Sequence, residues 1–191
     1  MSTDSEIIDL MEEDDIFGFK SYTQINSNWR SVAFYDERFT LLHLAVCHNK
    51  PKFVKWILEA GFDINARTKS GDTAVHLAIE AGAIDCLKEL LLHKPDTEAE
   101  DNIENVTPLI KAIRSAQLVP AQILISYGAS LDCKDKDNNR PLHLAIDMQQ
   151  TTLIDQLLEK GANIETPNSD DYAALHMTCK RSDMVTKTMQ R

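Results

Sequence analysis

Glycine is scarce in this chain, six in 191 residues, and cysteine is scarcer, with four. Neither a glycine-rich phosphate loop nor a nucleophile-elbow, zinc-helix or kinase signature can be found. No apolar run approaches the roughly 18–20 residues that span a bilayer, so membrane insertion is not expected. The first fifteen residues hold seven acidic residues and no basic one, unlike the positive start of a secretory signal. The cysteines Cys47, Cys86, Cys133 and Cys179 lie 39, 47 and 46 residues apart, without a CxxC pair. They are too sparse for a stapled secreted module and read as reduced thiols of a cytoplasmic or nuclear protein. Basic residues are also outnumbered, 20 against 30 acidic, for a net charge of −10. Phosphate backbones are bound by Lys and Arg that release counterions. Nucleic acid and anionic membrane are therefore poor partners for this chain.

What the chain does have is a repeat. The segments Thr40–Ala45, Thr73–Ala78, Thr107–Ala112, Arg140–Ala145 and Ala173–Thr178 are alike, and their starts are 33, 34, 33 and 33 residues apart. A fixed period of this length is the mark of a repeat architecture. The second half of each unit repeats as well. Val54, Ile57 and Leu58 return as Leu87, Leu90 and Leu91, as Ala121, Leu124 and Ile125, and as Ile154, Leu157 and Leu158. Spacing of i, i+3, i+4 is one face of a helix. Gly61, Gly128 and Gly161 follow three of these helices, where a left-handed residue ends a helix. Each unit then reads as helix, short turn, helix, extended loop.

The hexapeptide, the V-x-x-L-L helix and the G-A ending together resemble the ankyrin repeat. The resemblance implies an all-α ankyrin-repeat solenoid of stacked helix-turn-helix units with β-hairpin-like loops. Expected boundaries are 1–35 for a degenerate capping unit, 36–68, 69–102, 103–135 and 136–168 for four repeats, and 169–191 for a partial last unit. That last unit lacks about ten residues of a complete one, with Met184, Val185 and Met189 offering a short second helix. A clipped cap and a fragment of a longer chain both fit, and a fragment is slightly favoured.

The hexapeptide has a physical rationale. Threonine can cap the first helix, and proline (Pro108, Pro141) suits the first helical position, where no amide donor is needed. Ala45, Ala78, Ala112 and Ala145 are small enough for neighbouring helices to approach. Thr3 and Glu6 fit a capping box, so helices are expected at about Asp4–Glu13 and Ile16–Gln24. Lys94-Pro95 replaces Gly-Ala, the following loop holds one extra residue, Ile110 replaces histidine, and Pro120 enters the first turn of a helix. Distortion is therefore expected between about residues 93 and 120.

His43, His76, His143 and His176 share one repeat position. Zinc needs nitrogens at about 2.0–2.1 Å, whereas packed helices sit about 8–10 Å apart. The resemblance implies instead that each imidazole bonds backbone across the repeat boundary. Cys47 and His48 are adjacent on a helix and diverge, so they do not make a nucleophile and base. The Asn105-Val106-Thr107 sequon uses the scaffold threonine and reads as accidental. Asn65 reads as a loop-closing residue. Catalytic, cofactor-binding and metal-binding residues are all expected to be absent.

The resemblance further implies a concave face built from loop tips and first helices. Its offsets select Phe39, Cys47, His48, Arg67, Lys69, Asp72, Glu80, Ile103, Glu104, Val106, Arg114, Lys136, Asp137, Asn139, Asp147, Met148, Asp170, Tyr172, Lys180 and Arg181. Phe39, Ile103, Val106, Met148 and Tyr172 are the apolar members, and aromatic and methionine residues are enriched in interface cores. The expected function is a monomeric, non-catalytic protein-interaction module acting as adaptor, scaffold or inhibitor on another protein or peptide. The stretch from Thr40 to His48 is also similar to the first repeat of inhibitor-of-NF-κB proteins. The alternative is a regulatory segment of a longer enzyme, channel or pathogen effector. A nucleic-acid binder is less favoured, because acidic neighbours dilute the field of Arg67, Lys69, Arg114, Lys136, Lys180 and Arg181.

Overall fold

A computed structural model describes residues 3–25, 38–174 and 176–177. Among the described residues, ten α-helices are defined: α1 (Thr3–Glu12), α2 (Ile16–Ile25), α3 (Leu41–Cys47), α4 (Pro51–Glu59), α5 (Ala74–Glu80), α6 (Ile84–Leu92), α7 (Pro108–Arg114), α8 (Leu118–Ser126), α9 (Pro141–Asp147) and α10 (Thr151–Glu159). No strand occurs among the described residues. The expected helix at Met184–Met189 lies outside them.

The chain forms two compact units that divide in the loop after α6. The first holds α1–α6 with Asp101–Ile103, and the second holds Thr97–Glu100 with the residues from Glu104 onward. In the first, α1 packs on α2, α3 on α4 and α5 on α6, while α3 meets α5 and α4 meets α6. The second repeats this scheme with α7 on α8, α9 on α10, α7 on α9 and α8 on α10.

Helix ends explain the regularity. Asn49, Gly82, Ala116 and Gln149 follow the short helices α3, α5, α7 and α9 with φ of 51, 63, 54 and 57°. The next residue's N–H then reaches back to Ala45, Ala78, Ala112 and Ala145. This is a Schellman stop, with the left-handed residue at C′. Gly61, Gly128 and Gly161 end α4, α8 and α10 in the same way, with N–H bonds from Phe62, Ala129 and Ala162 to Ile57, Leu124 and Leu157. At α6 the left-handed residue is Lys94 (φ 54°), and Pro95 follows. Proline has no N–H, so the outer bond of the motif is absent here.

Within the expected 93–120 interval, the departures fall at Lys94-Pro95 and in the loop before Pro108, and leave α7 and α8 regular. α7 and α8 keep the seven- and nine-residue lengths of their counterparts. Pro120 is the third residue of α8, where an amide has no intrahelical partner to lose. The extra residue is absorbed in the loop before Pro108, where the two units divide.

The N-terminal pair starts at Thr3, one residue before the expected Asp4, and packs as part of the first unit. Ile7, Met11 and Phe19 are fully buried. The Phe19 ring meets Phe53 and Trp56 edge-on, each at 5.2 Å. Lys52 pairs with Asp14 at 2.7 Å, and Lys50 Nζ donates to the Glu12 carbonyl at 3.1 Å. The Lys52 hydrogen bond holds the Asp14 carboxyl below its ordinary pKa.

Candidate functional site

The candidate surface consists of first helices and the hairpins that follow them, and histidine couples the two. His43 Nδ1 accepts the backbone N–H of Thr40, at 3.0 Å, in a capping box with histidine at N3. Nδ1 is thus the lone-pair nitrogen, and Nε2–H donates to the Ala66 carbonyl at 3.1 Å. His143 does the same with the Arg140 N–H (3.3 Å) and the Tyr172 carbonyl (3.1 Å). His76 Nδ1 accepts from Thr73 at 3.2 Å, and His176 Nδ1 from Ala173 at 3.2 Å. Burial pushes the His143 pKa below its ordinary value, which keeps the ring neutral as these bonds require. The threonine hydroxyls of Thr40 and Thr73 lie 3.1 and 3.0 Å from Nδ1 of the same rings.

Where Ile110 replaces histidine, this arrangement is lost. The Thr107 hydroxyl is buried without a hydrogen-bond partner of good geometry, beside the Cys133 thiol. Burial raises that thiol to about 11, and Cys86 to about 12. Partial burial, then the Glu80 carboxylate, raises Cys47. Thiols held protonated are poor nucleophiles. No group of His, Cys, Asp and Glu among the described residues is placed to hold a metal.

The hairpins are held by one polar residue at their base. The Thr68 hydroxyl accepts the Asp72 N–H at 3.1 Å, and Asn168 Oδ1 accepts that of Tyr172 at 3.1 Å. Asp135 does more. Its carboxylate takes the N–H groups of Asp137 and Asn139, the Asn139 side chain and Arg114, at 2.8–3.2 Å. Successive tips are joined by Asn102 N–H to the Ser70 carbonyl (2.8 Å) and by Ser169 N–H to the Asp137 carbonyl (3.0 Å). Asn65 Oδ1 accepts the Asp96 N–H at 2.8 Å, the loop-closing role expected of it.

The selected residues fall into different environments. In the first unit Cys47, Arg67, Lys69, Glu80 and Ile103 are exposed, Ile103 by 73%. His48 is half-buried, and so is Phe39, whose ring lies 5.4 Å from that of His43. Asp72 is only 6% exposed, so its assignment to a partner surface is corrected: it belongs to the base of its own hairpin. In the second unit Glu104, Lys136, Asp137, Asp147, Met148 and Asp170 are exposed. Val106 is 1% exposed, and its assignment is corrected too: it is a core residue. Arg114 is committed to Glu104 (2.6 Å) and Asp135 (2.8 Å). Asn139 and Tyr172 are half-buried in the hairpin bonds just described. Lys180 and Arg181 lie outside the described residues.

Four selected residues of the second unit converge. Asp137, Asn139, Asp147 and Asp170 line a groove of about 270 Å³ with His143, Leu144, Asn168, Ser169 and Met177. Leu144 and Met177 were not anticipated. Leu144 precedes Asp147 by three and Met148 by four, which puts all three on one helix face. That spacing was the available signal.

Short helix pairs joined by hairpins, with His43 and His143 each tying a hairpin to a first helix, define a helical-repeat scaffold. The chain belongs to the ankyrin-repeat family. The family model described as "Ankyrin repeats (3 copies)" matches residues 23–101, 42–135 and 89–168. The B-cell lymphoma 3 protein homolog of Mus musculus is 32% identical over 149 residues, 75% of this chain and 33% of that protein. The nuclear factor NF-kappa-B p105 subunit of Gallus gallus is 28% identical over 146 residues, 74% of this chain and 15% of that protein. The crystal structure of the ankyrin repeat domain of Bcl-3, described as a unique member of the IkappaB protein family, superposes with a TM-score of 0.81. That match is 27% identical and covers 95% of this chain and 82% of that one. The chain spans about a third or less of the curated relatives named here. No described helix is long and apolar enough to cross a membrane.

Proposed function

We propose that this chain is a non-catalytic module that binds another protein through its first helices and hairpin tips, acting as adaptor, scaffold or inhibitor in the manner of an IkappaB-like ankyrin domain. One observation carries the reading: buried polar bonds fix the hairpins to the helices while their outward side chains stay exposed. A surface held in one conformation loses little entropy on association. Similarity to the Bcl-3 ankyrin domain supports the IkappaB-like part. We read the repeats as 36–68, 69–102, 103–135 and 136–168 between terminal units 1–35 and 169–191. The module is monomeric and resides in the cytoplasm or nucleus. A second reading, a regulatory segment of a longer protein, is supported by the small share of each relative that the chain spans.

The test is affinity capture from cell lysate with mass spectrometry. Wild type is run beside Ile103→Asp/Met148→Asp, which charges an exposed residue in each unit. A protein retained by wild type and lost from the variant, with circular dichroism unchanged, is the expected result. Retention of the same proteins by both moves the binding surface elsewhere.

A further inference from the structure

We propose that Ser70 is a phosphorylation site for a protein kinase that reads arginine three residues before its serine. The inference rests on the reading of the chain as a protein-binding module only for its consequence, a change of charge at one hairpin tip.

The hairpins themselves single out this residue. Four described hairpins turn on a left-handed residue: Gly71, Asn105, Asn138 and Asp171, with φ of 82, 52, 56 and 60°. The residue just before is Ser70, Glu104, Asp137 and Asp170 in turn. The last three are exposed carboxylates, so the turn accommodates an anion at this place. Among the four, Ser70 alone offers a neutral hydroxyl there. Phosphate on that hydroxyl adds roughly −1.5 to −2 charges at pH 7. It gives the first of these hairpins the sign that the other three carry in their sequence.

The hydroxyl is also available, unlike its neighbours. Thr68 and Thr73, in the same hairpin, are 5% and 1% exposed. Thr68 accepts the Asp72 N–H, and the Thr73 hydroxyl lies 3.0 Å from His76 Nδ1. Ser70 is partly exposed, and its hydroxyl makes no hydrogen bond among the described residues. Arg67 stands three residues before it and Lys69 one before, both exposed. A guanidinium fork suits recognition by carboxylates, and kinases choose substrates by such charge patterns. Arg67 Nε donates to the Gly71 carbonyl at 3.1 Å. A kinase carboxylate is a stronger acceptor than that carbonyl and can draw the side chain away. Exposed tips open locally at low cost, which lets the turn straighten into a kinase groove. There the Ser70 hydroxyl oxygen attacks the γ-phosphorus of MgATP. The new O–P bond forms as the bond to the β-phosphate oxygen breaks, ADP leaves, and the hydroxyl proton passes to the kinase's catalytic aspartate.

The full chain, made in bacteria so that it starts unmodified, is incubated with MgATP and the catalytic subunit of cAMP-dependent protein kinase, an arginine-directed enzyme. Tandem mass spectrometry then locates the phosphate. Phosphate at Ser70 is expected, with that labelling lost in Ser70→Ala. Arg67→Ala is expected to lower kcat/KM for labelling about tenfold, the worth of one charged hydrogen bond, and Arg67→Lys by less. Circular dichroism checks the fold of each variant, and Arg67→Lys carries the comparison should Arg67→Ala unfold. A synthetic peptide of residues 64–74 controls for the motif alone. Labelling of the peptide but not the chain means that the folded hairpin shields Ser70, and overturns the proposal. So does labelling of neither, phosphate placed chiefly on other residues, or a rate indifferent to Arg67. None of these readings needs a partner protein, so a failure of the lysate capture counts against the module reading and not against this site.

Discussion

The two compact units share one helical plan but hold it together differently. In the first, the apolar layer continues into the N-terminal helices, where Phe19 meets Phe53 and Trp56, and both first helices carry the histidine box. The hairpin base is a threonine hydroxyl. In the second, one histidine box is missing, arginine stands in place of a capping threonine, and one hairpin rests on the buried Asp135 carboxylate with its Arg114 partner while the next rests on Asn168. The first unit leans on apolar burial, the second on a polar network. The repeat therefore constrains backbone geometry more tightly than it constrains how that geometry is secured.

The largest expected effect tests the apolar side. Phe53→Ala removes a fully buried ring from the first unit and is expected to cost about 3–5 kcal/mol in denaturant unfolding. A cost below about 1 kcal/mol would mean that α1 and α2 are not held by that ring. Next comes the polar side. Asp135→Ala strands two hairpin amides and Arg114, with an expected loss of about 2–4 kcal/mol. Arg67→Ala, an exposed arginine of the first unit bonded to the Gly71 carbonyl, should cost less than about 1 kcal/mol. Similar losses in the two variants would erase the contrast.

A pair of matched substitutions sharpens it further. Thr107→Val removes a hydroxyl that has no good partner and is expected to be neutral or to stabilise by about 1 kcal/mol. Thr73→Val removes one that bonds His76 and should destabilise by a similar amount. Lys94→Gly relieves a left-handed lysine that has glycine at the matching place in the other units, for a gain of about 0.5–1 kcal/mol. Thermal melts resolve both. The smallest effect is a pH slope. The fold depresses the His143 pKa, so below about 6.5 the unfolded chain binds more protons there. That share of stability is present above pH 6.5 and declines as pH falls, and the decline should be weaker in His143→Gln.

Much of the fold was legible because period and helix face are written in apolar spacing. Gly61, Gly128 and Gly161 announced their helix ends directly. Lys94 did not, because the backbone imposes a left-handed φ there on a residue type that does not advertise it. The surface was less legible. Exposure at one repeat offset depends on local loop length. Ile103 and Val106, three residues apart across the extra residue, ended 73% and 1% exposed. Arg114 looked available from its position, yet it is spent on Asp135, a partner 21 residues away that spacing alone does not reveal. Leu144 went unnoticed because apolar residues on a first helix read as core.

Hydrogen–deuterium exchange of the chain with and without its captured partner protein tests the central claim most directly. Slowed exchange at 67–72, 134–139 and 168–172, with α4, α6, α8 and α10 unchanged, is the result the account predicts. Slowing confined to those second helices, with the hairpins unaffected, would contradict it.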